Sequence, residues 1–243
     1  MFVQQTTDKV QAGEQEVTLL PRQCRPLRTG ILYAHGAEGS NPGGMAWTGF
    51  PGRWSIMRSV SNRAPVLCPE LAGNATWGND TVIARMTAAY NYLQTIPGVA
   101  AGKVSILAQS MGATTAIAWA RANIAKVDRI VLMIPVINLT DVRNNSGYQA
   151  AIDAAYGGTY TEAAHGATHN PLTIAQAGGL AGVKVQLWYG DTDALCKPEF
   201  ALQFAAALGA NCEVHRMGGG HAEETVYNID PAAVAAFLTP GEG

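Results

Sequence analysis

At 243 residues, with 48% hydrophobic and only 14% charged residues, the chain is long and apolar enough for one α/β domain around a buried sheet, and too core-rich for a disordered or fibrous protein. A formal net charge of -2, with no basic stripe anywhere, excludes nucleic acid as an expected partner. The longest apolar stretches, such as 130–137 (IVLMIPVI), are far too short to cross a bilayer, so no transmembrane segment is expected.

The start, MFVQQTTDKVQAGEQEV, has no basic region followed by an apolar run, which predicts no signal peptide and a soluble chain. Cytoplasm is the expected compartment, with release or association with a virion left open. The oligomeric state has no signature in the sequence.

In chain order, 16–21 (EVTLLP) reads as an outer strand of a hairpin-like N-terminal piece. Short apolar, β-branched runs follow at 29–36 (TGILYAHG), 64–71 (APVLCPEL), 103–110 (KVSILAQS), 127–135 (VDRIVLMIP), 183–190 (VKVQLWYG) and 211–218 (NCEVHRMG). Such runs suit central parallel strands covered on both faces. Helical spacing of Ala, Met and Leu marks 79–94, 111–123, 197–208 and 230–238, with Asn79 or Asp80 as a cap for the first and Pro231 in the first turn of the last. Strand and helix alternate, which predicts a single doubly covered, mostly parallel sheet spanning 1–243. The interval 138–180 breaks the alternation. It is rich in Gly, Asn and Thr and reads as an insertion of short helices and loops that covers the main domain as a lid or cap.

The segment Ala108-Gln109-Ser110-Met111-Gly112 carries the chemistry. A strand feeding directly into a helix needs a sharp turn, and small flanking residues let the two elements approach. Ser110 then stands at the tip above a helix N-terminus, whose N–H groups and partial positive charge favour a developing oxyanion. A serine here also suits a plain helix N-cap. Upstream, the strand at 29–36 ends in His35-Gly36 and a glycine-containing loop. Near the end, Met217-Gly218-Gly219-Gly220-His221 places a histidine on a glycine-rich loop after the last strand, and imidazole is the side chain suited to taking a serine proton near neutral pH. After the strand at 183–190, Gly190-Asp191-Thr192-Asp193 offers two candidate acids. No third ligand stands near this DxD pair, so no metal is expected there. The four cysteines, Cys24, Cys68, Cys196 and Cys212, lack CxxC spacing and read as buried free thiols, with a Cys196–Cys212 disulfide left open.

These motifs resemble those of the α/β-hydrolase superfamily, including its serine esterases and lipases. The family's nucleophile elbow is G-x-S-x-G. Here Ala108 replaces the first glycine, as in the A-x-S-x-G of some lipases. The resemblance covers the chain from about residue 29 to the last helix, and the order Ser110, Asp193, His221 is the order of this fold. It implies a nucleophile Ser110, a base His221 and an acid Asp193, the last because Gly190, Asp193 and Pro198 follow the family's order. Asp191 then shapes the turn through backbone N–H groups. By the same resemblance, the N–H groups of Ala37 and Met111 form the oxyanion hole and His35 braces its loop. Trp47, Trp77, Gln109 and Met111 are candidates for the substrate pocket. No cofactor is expected. The resemblance implies a carboxylic-ester hydrolase acting on a small-molecule or acyl-ester substrate. A thioesterase, a peptidase or a polymer or cell-envelope esterase on the same triad is the alternative, and a non-catalytic binding protein of the same fold is the second.

Overall fold

A computed structural model gives the fold, and the described residues are 4–11, 14–20, 27–37, 47–48 and 51–241. Eight strands form one sheet: β1 (Gln4–Gln11), β2 (Glu14–Leu20), β3 (Arg28–Ala34), β4 (Val66–Cys68), β5 (Val99–Gln109), β6 (Val127–Met133), β7 (Lys184–Gly190) and β8 (Cys212–Met217). Their spatial order is β1-β2-β4-β3-β5-β6-β7-β8. β2 runs antiparallel to both neighbours, and every pair from β4 and β3 through to β8 is parallel. The expected doubly covered, mostly parallel sheet is present.

Period-two alternation distributes the strand side chains to two cores. Leu32, Ala34, Ile106, Ala108, Ile130, Leu132, Val185 and Leu187 face one core with helices α2 (Asp80–Leu93), α3 (Gly112–Ala122), α7 (Pro171–Gln176) and α8 (Pro198–Leu208). Ile31, Tyr33, Leu107, Val131, Met133 and Trp188 face the other, with α1 (Pro51–Ser61), α9 (Glu223–Val226) and α10 (Pro231–Leu238). The register aligns the carboxyl ends of the central strands, with Ala34 beside Ala108, Gln109 beside Met133, Met133 beside Trp188 and Gly190 beside Met217. The loops leaving these ends therefore converge at one rim of the sheet.

Helix boundaries follow local chemistry. Asn79 caps α2, its side chain accepting from the Val82 N–H at 3.0 Å, and Pro231 opens α10. The strand expected at 64–71 is reduced to Val66–Cys68, because Pro65 and Pro69 bracket it and neither has an N–H for the ladder. The expected outer strand is β2, and β1 completes a hairpin with it. α1 has no counterpart among the expected helices. Cys68, Cys196 and Cys212 are free thiols, so Cys196 and Cys212 form no disulfide; Cys24 lies outside the described residues.

Between β6 and β7, the segment read as an insertion carries short helices: α4 (Leu139–Asn145), α5 (Gln149–Ala155), a π-helical turn at Glu162–Gly166, α6 (Ala167–His169) and α7. Its centre is a carboxylate. Glu162 accepts hydrogen bonds from Thr140, Tyr160, Asn170 and Thr173, which ties α4 to α7. Asn79 donates to the Ala155 carbonyl at 2.7 Å and Tyr156 donates to the Trp77 carbonyl at 3.0 Å, fastening the insertion to the loop before α2. Among the described residues, no helix is long and apolar enough to cross a membrane.

Candidate active site

β5 passes into α3 through Ser110, whose φ is +49°. A non-glycine residue in the left-handed region is strained, and such strain persists only where the surroundings enforce it. Here they do: the Ser110 N–H donates to the Met133 carbonyl, and the Ser110 carbonyl accepts from both the Ala113 and Val136 N–H groups, all at 3.0 Å. Gly112 is obligatory at this turn, since a Cβ there would stand 2.1 Å from the Ala34 carbonyl oxygen. Ala108, in place of the family's glycine, is fully buried and its methyl belongs to the main core.

The Ser110 hydroxyl caps no helix. It lies 2.8 Å from His221 Nε2, and His221 Nδ1 lies 2.8 Å from Asp193 Oδ2. In the tautomer that donates Nδ1–H to the carboxylate, Nε2 is left to accept from the hydroxyl. Asp193 is 3% exposed, and its other oxygen accepts from the N–H groups of Leu195 and Cys196 at 2.9 and 2.7 Å. The carboxylate thus has both oxygens engaged in a dry setting and holds one ring orientation. A hydroxyl, an imidazole and a buried carboxylate in this relay are equipped to move the serine proton onto the histidine.

The two loops that carry the acid and the histidine lock together. A Cβ on Gly190 would meet the Gly219 carbonyl oxygen at 2.4 Å, so the glycine-rich loop rests on bare backbone. Thr192 N–H donates to the Gly219 carbonyl, and the Gly219 N–H donates to Asp191 Oδ1 at 3.0 Å. Asp191 also pairs with Arg216. The Gly219 N–H and the Arg216 guanidinium hold the Asp191 carboxyl below its ordinary value. Asp191 points into the turn and Asp193 towards His221.

Of the other residues singled out in the sequence, Ala37 follows β3 and Met111 leads α3, and neither N–H has a hydrogen-bond partner among the described residues. His35 is buried, with one ring nitrogen 2.8 Å from the Gly36 carbonyl oxygen and the other 2.8 Å from that of Glu70, which pins the turn after β4 to the end of β3. Trp77 is 2% exposed and packs with Met111, Val136, Ile152 and Tyr160 where the insertion meets the elbow. Its indole N–H has no partner among the described residues. Trp47 is partly buried against the core on the α1 side. Gln109 points to that side too, as alternation from Ser110 requires, and its amide N–H donates to Glu223 Oε1 at 3.3 Å.

Sequence reasoning missed Arg53 and Glu223. Arg53, on α1 and 4% exposed, donates through Nε to both Glu223 oxygens at 2.9 and 3.0 Å and pairs with the same carboxylate through Nη2. Glu223 stands two residues after His221 and Gln109 one before Ser110, so this buried group spans the roots of both loops. The only sequence signal was a charged residue inside an otherwise apolar helix face.

Solved structures similar to this chain cover nearly all of it. The fluorophosphonate-binding serine hydrolase F of Staphylococcus aureus, solved with substrate bound, matches with a TM-score of 0.76 at 17% identity over 98% of this chain and 98% of that one. S-formylglutathione hydrolase of the same organism matches with a TM-score of 0.67 at 16% identity, over 98% and 96%. A puromycin-hydrolyzing peptidase of Mycobacterium tuberculosis reaches 0.72 at 15% identity, covering 97% of this chain but 39% of that one. No family model and no curated protein matches the sequence. At these identities the likeness establishes the architecture, and the chain has the α/β-hydrolase fold.

Proposed function

We propose that the protein is a serine hydrolase of carboxylic esters, with Ser110 as nucleophile, His221 as general base and Asp193 as the acid that orients it. The observation that carries this reading is the relay Ser110–His221–Asp193, closed by two contacts of 2.8 Å at the carboxyl edge of the sheet. His221 takes the Ser110 proton as the hydroxyl oxygen bonds to the acyl carbon. The N–H groups of Ala37 and Met111 receive the negative charge on the carbonyl oxygen. His221 then delivers its proton to the departing alkoxide, takes one from water as that water's oxygen bonds to the acyl carbon, and returns it to the Ser110 oxygen as the acyl–Ser110 bond breaks, releasing the acid. Side chains and backbone N–H groups suffice for every step.

The substrate proposed is a small-molecule or acyl ester, in keeping with the serine hydrolases and esterases of the same fold. Trp77 and Met111, packed against Ile152 and Tyr160 of the insertion, support a role for 138–180 as a cap that bounds the acyl or alcohol side. A fluorophosphonate probe tests the chemistry: labelling is expected in the unsubstituted protein and not in Ser110→Ala. Failure to label a folded protein overturns the reading. A panel of nitrophenyl esters of rising acyl length, beside an amide and a thioester, then separates esterase from peptidase and thioesterase.

A further inference from the structure

Among the described residues, one set of potential metal ligands draws together: a carboxylate oxygen of Asp193, a ring nitrogen of His221 and the sulfur of Cys196 all lie within 4.8 Å of one another. Cys196 is 7% exposed. Its N–H holds Asp193, but its sulfur makes no hydrogen bond among the described residues. The hydrolytic relay described above has no use for this thiol.

The donor set selects its ligand. Thiolate, imidazole and carboxylate together suit a borderline d¹⁰ cation of the zinc class and not magnesium or calcium, which demand oxygen. Charge points the same way. A divalent cation balances one thiolate and one carboxylate, leaving a neutral cluster that a dry setting tolerates. Ligand atoms around tetrahedral zinc stand roughly 3.3–3.8 Å apart given its bond lengths. The Asp193–His221 contact of 2.8 Å must therefore open slightly as the sulfur swings in.

We propose that Asp193, Cys196 and His221 form an inhibitory site for a zinc-class divalent cation. On binding, the cation sheds water and bonds to Sγ, to an Asp193 oxygen and to His221 Nδ1. The thiol proton leaves to solvent. The Nδ1 proton moves to Nε2, so the imidazole stays neutral but now presents a donor to Ser110. An Nε2–H cannot accept the serine proton, and hydrolysis stops. The inhibition rests on the hydrolase reading; the binding does not.

The test uses metal-free full-length protein and two probes, cobalt(II) for binding and zinc for inhibition. Cobalt is expected to bind with a thiolate-to-metal charge-transfer band in both the unsubstituted protein and Ser110→Ala, and the band is expected to vanish in Cys196→Ser. Zinc is expected to inhibit nitrophenyl ester hydrolysis reversibly, with chelator restoring the rate. Measured against its own zinc-free rate, Cys196→Ser is expected to need at least about tenfold more zinc, the scale at which altering a metal's ligand surroundings weakens affinity. Cys24→Ser and Cys212→Ser should change neither readout. If Cys196→Ser does not fold by circular dichroism, a folded Cys196→Ala takes its place. Absence of the band, its survival without Cys196, or its loss with Cys24 or Cys212 overturns the proposal. A Cys196-dependent band in a protein that hydrolyses nothing would instead overturn the hydrolase reading and leave the cation site standing.

Discussion

Ser110 is held at φ +49° by three backbone hydrogen bonds, so its side chain is replaceable without disturbing the turn. Ser110→Ala is expected to fold as well as the parent by thermal unfolding, yet to lose nitrophenyl ester hydrolysis by about a thousandfold or more, as does His221→Ala. Asp193→Asn is expected to cost activity heavily while Asp191→Asn retains most of it, because only Asp193 reaches His221. The opposite ranking would reverse the assignment of the acid. Gly112→Val should fail in a different way: its side chain collides with the Ala34 and His35 carbonyls, so both stability and probe labelling fall. Ser110 stood out because it directly follows a recognisable strand and precedes Gly112 by two residues, and His221 because it closes a run of three glycines after the last strand. Asp193 and Asp191 were not separable by the residues alone, since both follow β7 and differ only in which way the turn aims them. Cys196 was invisible as a partner of His221, because ligands on two loops leave no spacing motif.

At the level of elements, the strands and the helices α2, α3, α8 and α10 were readable from apolar runs and helical spacing, often to within a residue or two. α1 was not. Its face towards the sheet carries Arg53 among Ile56, Met57 and Val60, and a guanidinium in the stripe breaks the pattern that marks a core helix. β1, QQTTDKVQ, has too few apolar residues to show alternation. A buried ion pair adds little net stability compared with apolar packing, but removing one partner strands the other. Arg53→Met is therefore expected to lower unfolding free energy by about 3 kcal/mol, while Arg53→Met with Glu223→Leu recovers most of it, measured by urea titration. If the double variant is no better than the single, the pair is not what the cost came from.

The insertion matters to the molecule as a whole, because Glu162 gathers it into one body. Burial pushes the Glu162 carboxyl up, but hydrogen bonds from Thr140, Thr173, Asn170 and Tyr160 outweigh it and hold it below its ordinary value. A carboxyl depressed in the folded state contributes stability that is complete above its unfolded value of about 4.3 and is lost as pH falls through the folded value. Asp153, lowered by Arg143 and the Tyr160 N–H, acts with the same sign. Urea midpoints should therefore drop steeply below about pH 4. Glu162→Gln is expected to be weaker at neutral pH and flatter in acid. An unchanged acid slope would show that the hub does not govern it. The sequence marked 138–180 as a break in the alternation of strand and helix but gave no sign of the Glu162 cluster, since a carboxylate with four donors looks the same on paper as a solvated glutamate.

The elbow at Ser110 is held by chain that follows it. Its hydrogen bonds reach across to β6, the Ile134 N–H beyond it reaches the Trp188 carbonyl on β7, and the histidine arrives only after β8. Among the described residues, the hydrogen-bond partners of Ser110 outside its own turn, Met133, Val136 and His221, all come from later stretches of chain, and contacts so distant in sequence close late in folding. On the proposed reading of Ser110 as nucleophile, the serine becomes reactive only once the far half of the sheet has docked, and a fluorophosphonate tag added during refolding would act as a clock for the final assembly step.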